Sequence, residues 1–345
     1  MPACCVAFVA ALLTYLQEYA PLLAPRRLAS GTFLSVNYEK GIFYFKTGII
    51  MIEKAVKKKH RVSGSHRAEM LAELPANQLY EKANAMRKDL VKIAVQNKAG
   101  HIAPSLSCVD ILTALYYHTM NLSYDPQWDE RDRLVFSKAH GCYGLYAILA
   151  DRGYIQREDW ENFYRGSFLS GCAERSTEHG IEASCGALGH GLPIAVGIAF
   201  GAKLQGKKYR VYCVVGDGEM QEGSMWEAVQ FAAKYKLSNL TVIIDHNRLQ
   251  AMDFIEDVLT VEGKRFDLQQ KMKAFGFEVK TCNGHNPEKM VSTMERWIKG
   301  SALDKPQVLI ANTVKGYGLL CMENIPKFHF RLPTEDELNM GCRFE

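Results

Sequence analysis

Five short runs of β-branched and apolar residues, separated by longer stretches of helical periodicity, restrict what this chain can fold into. The runs lie at 133–136, 209–215, 240–244, 278–281 and 307–311. Helical patterns occupy 192–204, 225–236, 268–275 and 287–299. Strands joined by helix-length crossovers predict a parallel sheet with helices on both faces, an α/β architecture. Such sheets bind ligands beyond the carboxyl ends of their strands, so chemistry is sought there. Ahead of the sheet, Leu79, Ala83, Met86, Leu90, Ile93 and Ala94 recur at helical spacing. A second helix is expected after a polar break at Pro104 and Ser105, with Val109, Leu112, Leu115 and Tyr116 on one face.

Charge separates the first 65 residues from the rest. They hold nine Lys/Arg against three Glu, a local +6 in a chain of net +4, so residues 66–345 carry −2. The stretch has no clear period and reads as an N-terminal extension of unclear structure, or as a matter of where translation starts, since Met51 and Met70 both offer starts. Its run Lys57-Lys58-Lys59-His60-Arg61 lacks aromatic interleaving and any reader motif, so a solvated linker is the expectation, not a nucleic-acid contact. The apolar run Cys4 to Leu13 is too short for a bilayer and lacks a basic leader. Ten cysteines show no C-x-x-C spacing, and Cys142, Cys185, Cys213 and Cys282 sit among apolar or small residues. Reduced thiols in a cytoplasmic protein are expected.

The run at 209–215 ends in Gly216-Asp217-Gly218, and that at 240–244 continues Asp245-His246 to Asn247. Glycine lets the backbone turn sharply and approach a ligand. A carboxylate, an amide oxygen and a nearby backbone carbonyl make a hard oxygen site suited to Mg²⁺, which keeps waters and takes phosphate oxygens. A Gly-Asp-Gly turn alone would be no more than a turn with a solvated aspartate; the pair of strand ends carries the argument. The segment Gly-Asp-Gly-Glu-Met-Gln-Glu-Gly lacks dinucleotide-binding spacing.

Gly216-Asp217-Gly218 through Asn247 resembles the thiamine-diphosphate motif, and the surrounding blocks resemble the amino-terminal half of transketolases. These blocks are Lys98-Ala-Gly-His101, Phe136-Ser-Lys-Ala-His140-Gly, Gly186-Ala-Leu188-Gly-His-Gly191, Gly216 through Glu222 to Glu227, and Thr313-Val-Lys-Gly-Tyr-Gly318, within about 75–333. The resemblance implies a thiamine-diphosphate-binding fold over 66–345. It implies that Asp217, the Asn247 side chain and the Leu249 carbonyl bind Mg²⁺, and that the Gly218 N–H meets the diphosphate. Gly186 and Leu188 would line the cofactor near its rings. His140 and His329 would contact diphosphate or sugar, His101 would face the substrate channel, and Glu222 would join a relay across a dimer interface. As a plain alternative, Glu222 is a carboxylate at a helix N-terminus, favoured by the dipole.

The sequence departs from the family pattern in the stretch Gly171-Cys172-Ala173-Glu174. There Cys172 stands where a substrate-facing His is expected, and His179 is the nearest replacement. Phe330 follows His329 where a Gly is usual. Both changes fall where the donor sugar should lie. The family's activating glutamate, pyrimidine-side aromatics and most phosphate contacts belong to a second domain, and the chain stops about where that domain would begin.

The resemblance therefore implies the diphosphate-binding subunit of a split transketolase, moving a two-carbon ketol unit from a ketose to an aldose, as free sugars or phosphates, through a thiamine-bound carbanion. Its partner would be a chain with the pyrimidine-binding and C-terminal domains, in an α₂β₂ or at least dimeric assembly. The α chain of a 2-oxo acid dehydrogenase shares the metal motif but not the His101 and His140 blocks. A deoxyxylulose phosphate synthase is normally one long chain. A non-catalytic interaction subunit would have no need of an intact metal motif.

Overall fold

The computed structural model describes residues 69–261, 267–299 and 304–339, and before them the backbone of three short strands. These strands, β1 (Leu34–Asn37), β2 (Ile42–Phe45) and β3 (Gly48–Ile50), form an antiparallel sheet in order β1-β2-β3. The chain divides into two compact units, Met1–Arg67 and Ala68–Glu345. The basic run Lys57 to Arg61 lies outside the described residues.

The second unit is built on five parallel strands, β4 (Arg133–Phe136), β5 (Val211–Gly216), β6 (Leu240–His246), β7 (Glu278–Asn283) and β8 (Gln307–Asn312), in order β4-β5-β6-β8-β7. All five expected strands are present, and β5 to β8 run one or two residues further toward the carboxyl edge than their apolar runs. The cause is register. Gly216 pairs with Asp245, and His246 with Asn312, so the polar strand tips still share the ladder.

Alternate strand residues feed two cores. Leu134, Tyr212, Val214, Ile243 and Leu309 pack with the helices Leu79–Gln96 and Cys142–Asp151. Val135, Cys213, Val215, Val242, Ile244 and Ile310 pack with Gly191–Leu204 and Gly223–Lys234. With both faces covered, a strand needs no polar side, which is why these runs read as continuous apolar segments. The helices predicted at 192–204, 225–236, 268–275 and 287–299 appear as Gly191–Leu204, Gly223–Lys234, Leu268–Ala274 and Pro287–Lys299.

The polar break at Pro104 and Ser105 is corrected. Both belong to the short buried helix Ile102–Leu106, where Pro104 sits in the first turn and its missing N–H leaves no intrahelical bond unmade. The next helix, Val109–Ala114, runs on into a π-helical turn, Leu115–Thr119. Cys142, Cys185, Cys213 and Cys282 are buried free thiols as expected, whereas Cys321 is disulfide-bonded. Among the described residues no helix is long and apolar enough to cross a membrane.

Ile243, fully buried at the centre of the sheet, tests the two-core reading. Ile243→Ala is expected to cost about 2–5 kcal/mol in urea unfolding. A loss well below this range would mean that the β6 face is not packed as described.

Candidate functional site

The polar groups of the second unit gather at the carboxyl edge of the sheet, each carried there by a strand that has just ended. β5 ends at Gly216 and turns through Asp217 into a 3₁₀ segment, Gly218–Gln221. Asp217 is 3 % exposed. Its Oδ1 accepts from Gly218 N at 2.8 Å, and its Oδ2 accepts from Arg248 N at 2.5 Å with His246 Nδ1 at 3.1 Å. Beyond β6, Asn247 Oδ1 accepts from Leu249 N at 3.0 Å. Arg248, between them, has φ 61°, a left-handed conformation that a side-chain-bearing residue seldom adopts. This bend lets Asp217, Asn247 and the Leu249 carbonyl share one corner. A Cβ on Gly218 would press to 3.1 Å of Gln250 Cβ, so the glycine keeps that wall thin.

The Leu249 carbonyl already holds a cation. Lys315 Nζ donates to it at 3.0 Å and to Gln250 O at 3.1 Å. Two peptide carbonyls converging on one buried lysine nitrogen form a donor pair that a cation could share. The donor set around it, one carboxylate with amide and peptide oxygens, matches what a hard divalent cation takes.

Behind this corner lies Asp245, fully buried. It accepts from Lys138 and from Thr313 Oγ1, from Ser107 Oγ at 2.7 Å and from Asn247 Nδ2 at 3.3 Å. Burial alone would raise its pKa, but Lys138 and the hydrogen bonds hold it below the usual carboxylate value. Lys315 has no such carboxylate bond, and burial and the Lys138 charge push it down to about 7. Glu219, buried beside the same turn, accepts from Ser137 Oγ at 2.5 Å, Gly189 N at 3.0 Å and Gly216 N at 3.3 Å. Burial lifts it to about 6 against these hydrogen bonds.

Three imidazoles close the other side. His101 stacks on His140 with centroids 4.2 Å apart, and His329 stands edge-on to both. Lys315 Nζ donates to His329 Nδ1 at 2.8 Å, which leaves the Nε2–H of His329 to donate to His140 Nδ1 at 3.1 Å. Burial comes first among the causes that push His101 down to about 4 and His329 down to about 3, with Lys315 and the neighbouring imidazoles adding to it. His140 is lowered by burial and by Lys138 and Lys315. All three are therefore neutral at neutral pH. The Nδ1 of His101 is buried without a hydrogen-bond partner. Imidazole nitrogens of the three lie within 4.8 Å of one another, close enough for a transition metal, but the Lys315 ammonium bonded to His329 opposes a further cation.

The structure thus brings together Asp217, Asn247, Leu249 and Gly218 at one corner and His101, His140 and His329 at another, with Lys315 touching both groups. Gly186 and Leu188 are exposed on the loop before the helix Gly191–Leu204. A Cβ on Gly186 would reach Cys172 Sγ at 3.9 Å. Glu222 is the exposed N-cap of the helix Gly223–Lys234, and its side chain makes no capping bond. The Nδ1 of His179 pairs with Ser176 Oγ at 2.7 Å and its ring stacks on Phe168. Phe330 packs against His101 with centroids 4.7 Å apart, and its carbonyl leaves no room for a Cβ on Gly100. Sequence reasoning passed over Ser107, Lys138, Asp245 and Lys315. Lys138 and Lys315 sit inside motif blocks, two or three residues past β4 and β8, and that position was the available signal.

An oxygen-rich corner, two buried lysines and three neutral imidazoles at the carboxyl edge of an α/β sheet are the kind of groups a phosphate-bearing ligand would meet. Comparison with known proteins narrows it. Residues 79–340 match the family described as transketolase, thiamine diphosphate binding domain. The chain is similar to an apulose-4-phosphate transketolase subunit from Actinobacillus succinogenes, 42 % identical over 78 % of this chain and 96 % of that one. It is 35 % identical to a 6-deoxy-6-sulfo-D-fructose transketolase subunit from one Clostridium species, over 75 % and 92 %. Human transketolase is 34 % identical over 73 % of this chain but only 39 % of its own length. The transketolase structure from Campylobacter jejuni superposes with a TM-score of 0.69 at 32 % identity, over 76 % of this chain and 42 % of that one. The chain belongs to the transketolase family, as its thiamine-diphosphate-binding part.

Neutral imidazoles carry a pH signature. A His held neutral in the fold, but free to charge below pH 6.5 once unfolded, stabilises the fold above that pH, and this contribution is lost as pH falls toward the folded value. Thermal unfolding of the unliganded chain is expected to lose stability between pH 6.5 and about 4. His101→Gln should flatten that slope, and parallel Tm curves for the two proteins would refute the burial assigned to His101.

Proposed function

We propose that this chain is the diphosphate-binding subunit of a two-chain transketolase, which transfers a two-carbon ketol unit from a ketose to an aldose. One observation carries the reading. The relatives named as transketolase subunits are matched over 90–96 % of their own lengths, the human enzyme over 39 %. A chain that matches those subunits would, like them, share its site with a second polypeptide. That partner would supply the pyrimidine-side contacts and the activating carboxylate, since Glu219 is spent on Ser137, Gly189 and Gly216. An α₂β₂ assembly in the cytoplasm is the arrangement we favour.

Within the site, Asp217, Asn247 and the Leu249 carbonyl would hold Mg²⁺. Lys315 would then exchange its carbonyl partners for a diphosphate oxygen, with Lys138 beside it. Gly218, lacking a side chain, would offer its backbone to the same group. When bound, thiamine diphosphate supplies the electron sink that makes cleavage beside a ketose carbonyl feasible. The protein's part is to bind, orient and move protons. His101, with its free buried Nδ1, would bond a sugar hydroxyl. His329 and His140, joined Nε2 to Nδ1, form a short path along which a proton can pass. Gly186 and Leu188 would flank the cofactor near its rings, and Glu222 would meet a neighbouring chain.

The donor corner is altered by Cys172 and Phe330. A thiol is a weak hydrogen-bond donor and Phe330 offers none, so this end of the channel favours a ketose with less demand for hydroxyl recognition. The relatives' names point to ketoses with a phosphate or sulfonate terminus, and we propose an anionic ketose of that class as donor.

Native mass spectrometry of the chain from its own host, in Mg²⁺, is expected to show a complex with a second chain and one thiamine diphosphate per chain pair. Asp217→Ala should abolish cofactor retention and ketol transfer by the reconstituted complex. Survival of transfer in that variant would overturn the metal assignment, and a cofactor-free homomer that stays cofactor-free when thiamine diphosphate and Mg²⁺ are added would overturn the two-chain reading.

A further inference from the structure

Outside the cofactor corner lies a buried charged cluster that the reaction does not use directly. Arg87, on the helix Leu79–Gln96, is 1 % exposed and donates to Asp110, which is fully buried. Asp110 Oδ2 also accepts from His285 Nδ1 at 2.7 Å. The other nitrogen of His285, Nε2, accepts from the backbone N–H of Val314 at 2.8 Å. The two bonds fix the tautomer: a ring that donates from Nδ1 to a carboxylate and accepts at Nε2 is neutral, with its proton on Nδ1.

The ring is held from a third side. Tyr317 stacks on it with centroids 3.5 Å apart, and the Arg87 guanidinium lies 4.8 Å over the Tyr317 ring. Gly284 makes the approach possible. A Cβ there would meet Thr313 Cγ2 at 2.4 Å, so only glycine lets the end of β7 lie against the segment after β8.

A plainer role would be structural: a buried ion pair and a histidine tie two helices to the sheet. That role ignores what the bonded N–H belongs to. Val314 stands between Thr313, whose hydroxyl bonds Asp245, and Lys315, whose ammonium bonds Leu249 O, Gln250 O and His329 Nδ1. The segment is also anchored by Gly316 N to Ala103 O at 3.1 Å and by Asn324 N to Lys315 O at 2.9 Å. Among these anchors His285 grips the residue immediately before Lys315 and approaches it from the far edge of the sheet. A long flexible side chain aims its ammonium only as well as its backbone is held, and groups that orient ligand residues commonly matter almost as much as the ligands.

We propose that His285, oriented by Asp110 and Arg87, is a positioning residue for the cofactor's diphosphate: it holds Val314 so that Lys315 is aimed at the corner formed by Asp217, Asn247 and Leu249. The inference rests on the function proposed above, and its test separates the two. Asparagine and glutamine divide the two bonds of the ring. His285→Asn places an amide near the Nδ1 position, keeping a donor for Asp110 and losing the acceptor for Val314. His285→Gln places its amide oxygen near the Nε2 position and keeps the bond to Val314.

The experiment is titration of the full chain, assembled with its partner, with thiamine diphosphate at saturating Mg²⁺ by calorimetry, alongside the Tm of each variant. His285→Asn is expected to raise the Kd for thiamine diphosphate about tenfold or more, and His285→Gln to stay near the wild-type value. A purely structural role would lower Tm in both variants and leave both Kd values alone. Should His285→Asn fail to fold, Tyr317→Leu replaces it: loss of the stacked ring should weaken binding in the same direction, and Tyr317→Phe should not. A wild-type complex that does not bind thiamine diphosphate overturns the parent reading together with this one. A wild type that binds, with His285→Asn or Tyr317→Leu binding as tightly, overturns the positioning role alone.

Discussion

Asp245 is the interaction on which the rest of the site depends. A carboxylate with no solvent exposure is costly to keep unless it is paired and hydrogen-bonded, and this one accepts from four side chains on four separate segments. Lys138 follows β4, Asn247 follows β6, Thr313 follows β8, and Ser107 closes the short helix Ile102–Leu106. The charge therefore does what the apolar sheet does not. Two hydrophobic cores fix the strands but leave their polar tips free to splay. One buried anion draws the tips of β4, β6 and β8 to a common point, and the groups that would meet the cation and the diphosphate stand within a few residues of it, of those tips or of the end of β5.

This arrangement explains a division of labour among the charged groups. Lys138 is tied to Asp245, and that carboxylate, together with Asp217, keeps its pKa above the usual lysine value even though burial opposes this. Lys315 has only carbonyls and an imidazole as partners and is pushed down to about 7. One lysine is thus a fixed positive charge that holds the scaffold, while the other has partners it can exchange. The neutral histidines follow from the same field. Burial first, then Lys315, joined by Lys138 at His140 and His329, lowers the three imidazoles, which preserves on each ring one nitrogen that can accept a proton and one that can donate.

Most of the fold could be read from the chain, for a physical reason. A parallel sheet covered on both faces demands continuous apolar strands and crossover helices, and both leave unmistakable periodicity. The Asp217 and Asn247 corner could be read because each follows an apolar run directly. What could not be read was which polar residues become buried partners. Asp245 looks like the last residue of a strand, Glu219 like a helix-terminal acid, and Lys138 and Lys315 like surface lysines. Their meaning comes from strand order, which sets β8 between β6 and β7 and so brings Lys315 against Leu249 and His285 against Val314. Pro104 misled for a related reason, since a proline breaks a helix only past its first turn.

The same logic bears on why such a site can be divided between two chains. Every group that would face the diphosphate is held by bonds internal to this unit: Asp217 by Gly218 and Arg248, Asn247 by Leu249, Lys138 by Asp245, and the loop of Lys315 by His285. Binding the anionic end of a cofactor needs preorganised charge, which a single sheet edge can build alone. The unmet groups are of another kind. His101 Nδ1 lacks a partner, Phe330 beside it is 63 % exposed, and Leu188, on the loop before the helix Gly191–Leu204, is 48 % exposed. An apolar rim beside an unsatisfied imidazole is what a ring system, a sugar and a second chain would cover. On the function proposed above, this unit would supply the charged half of the site and a partner would cover the apolar half.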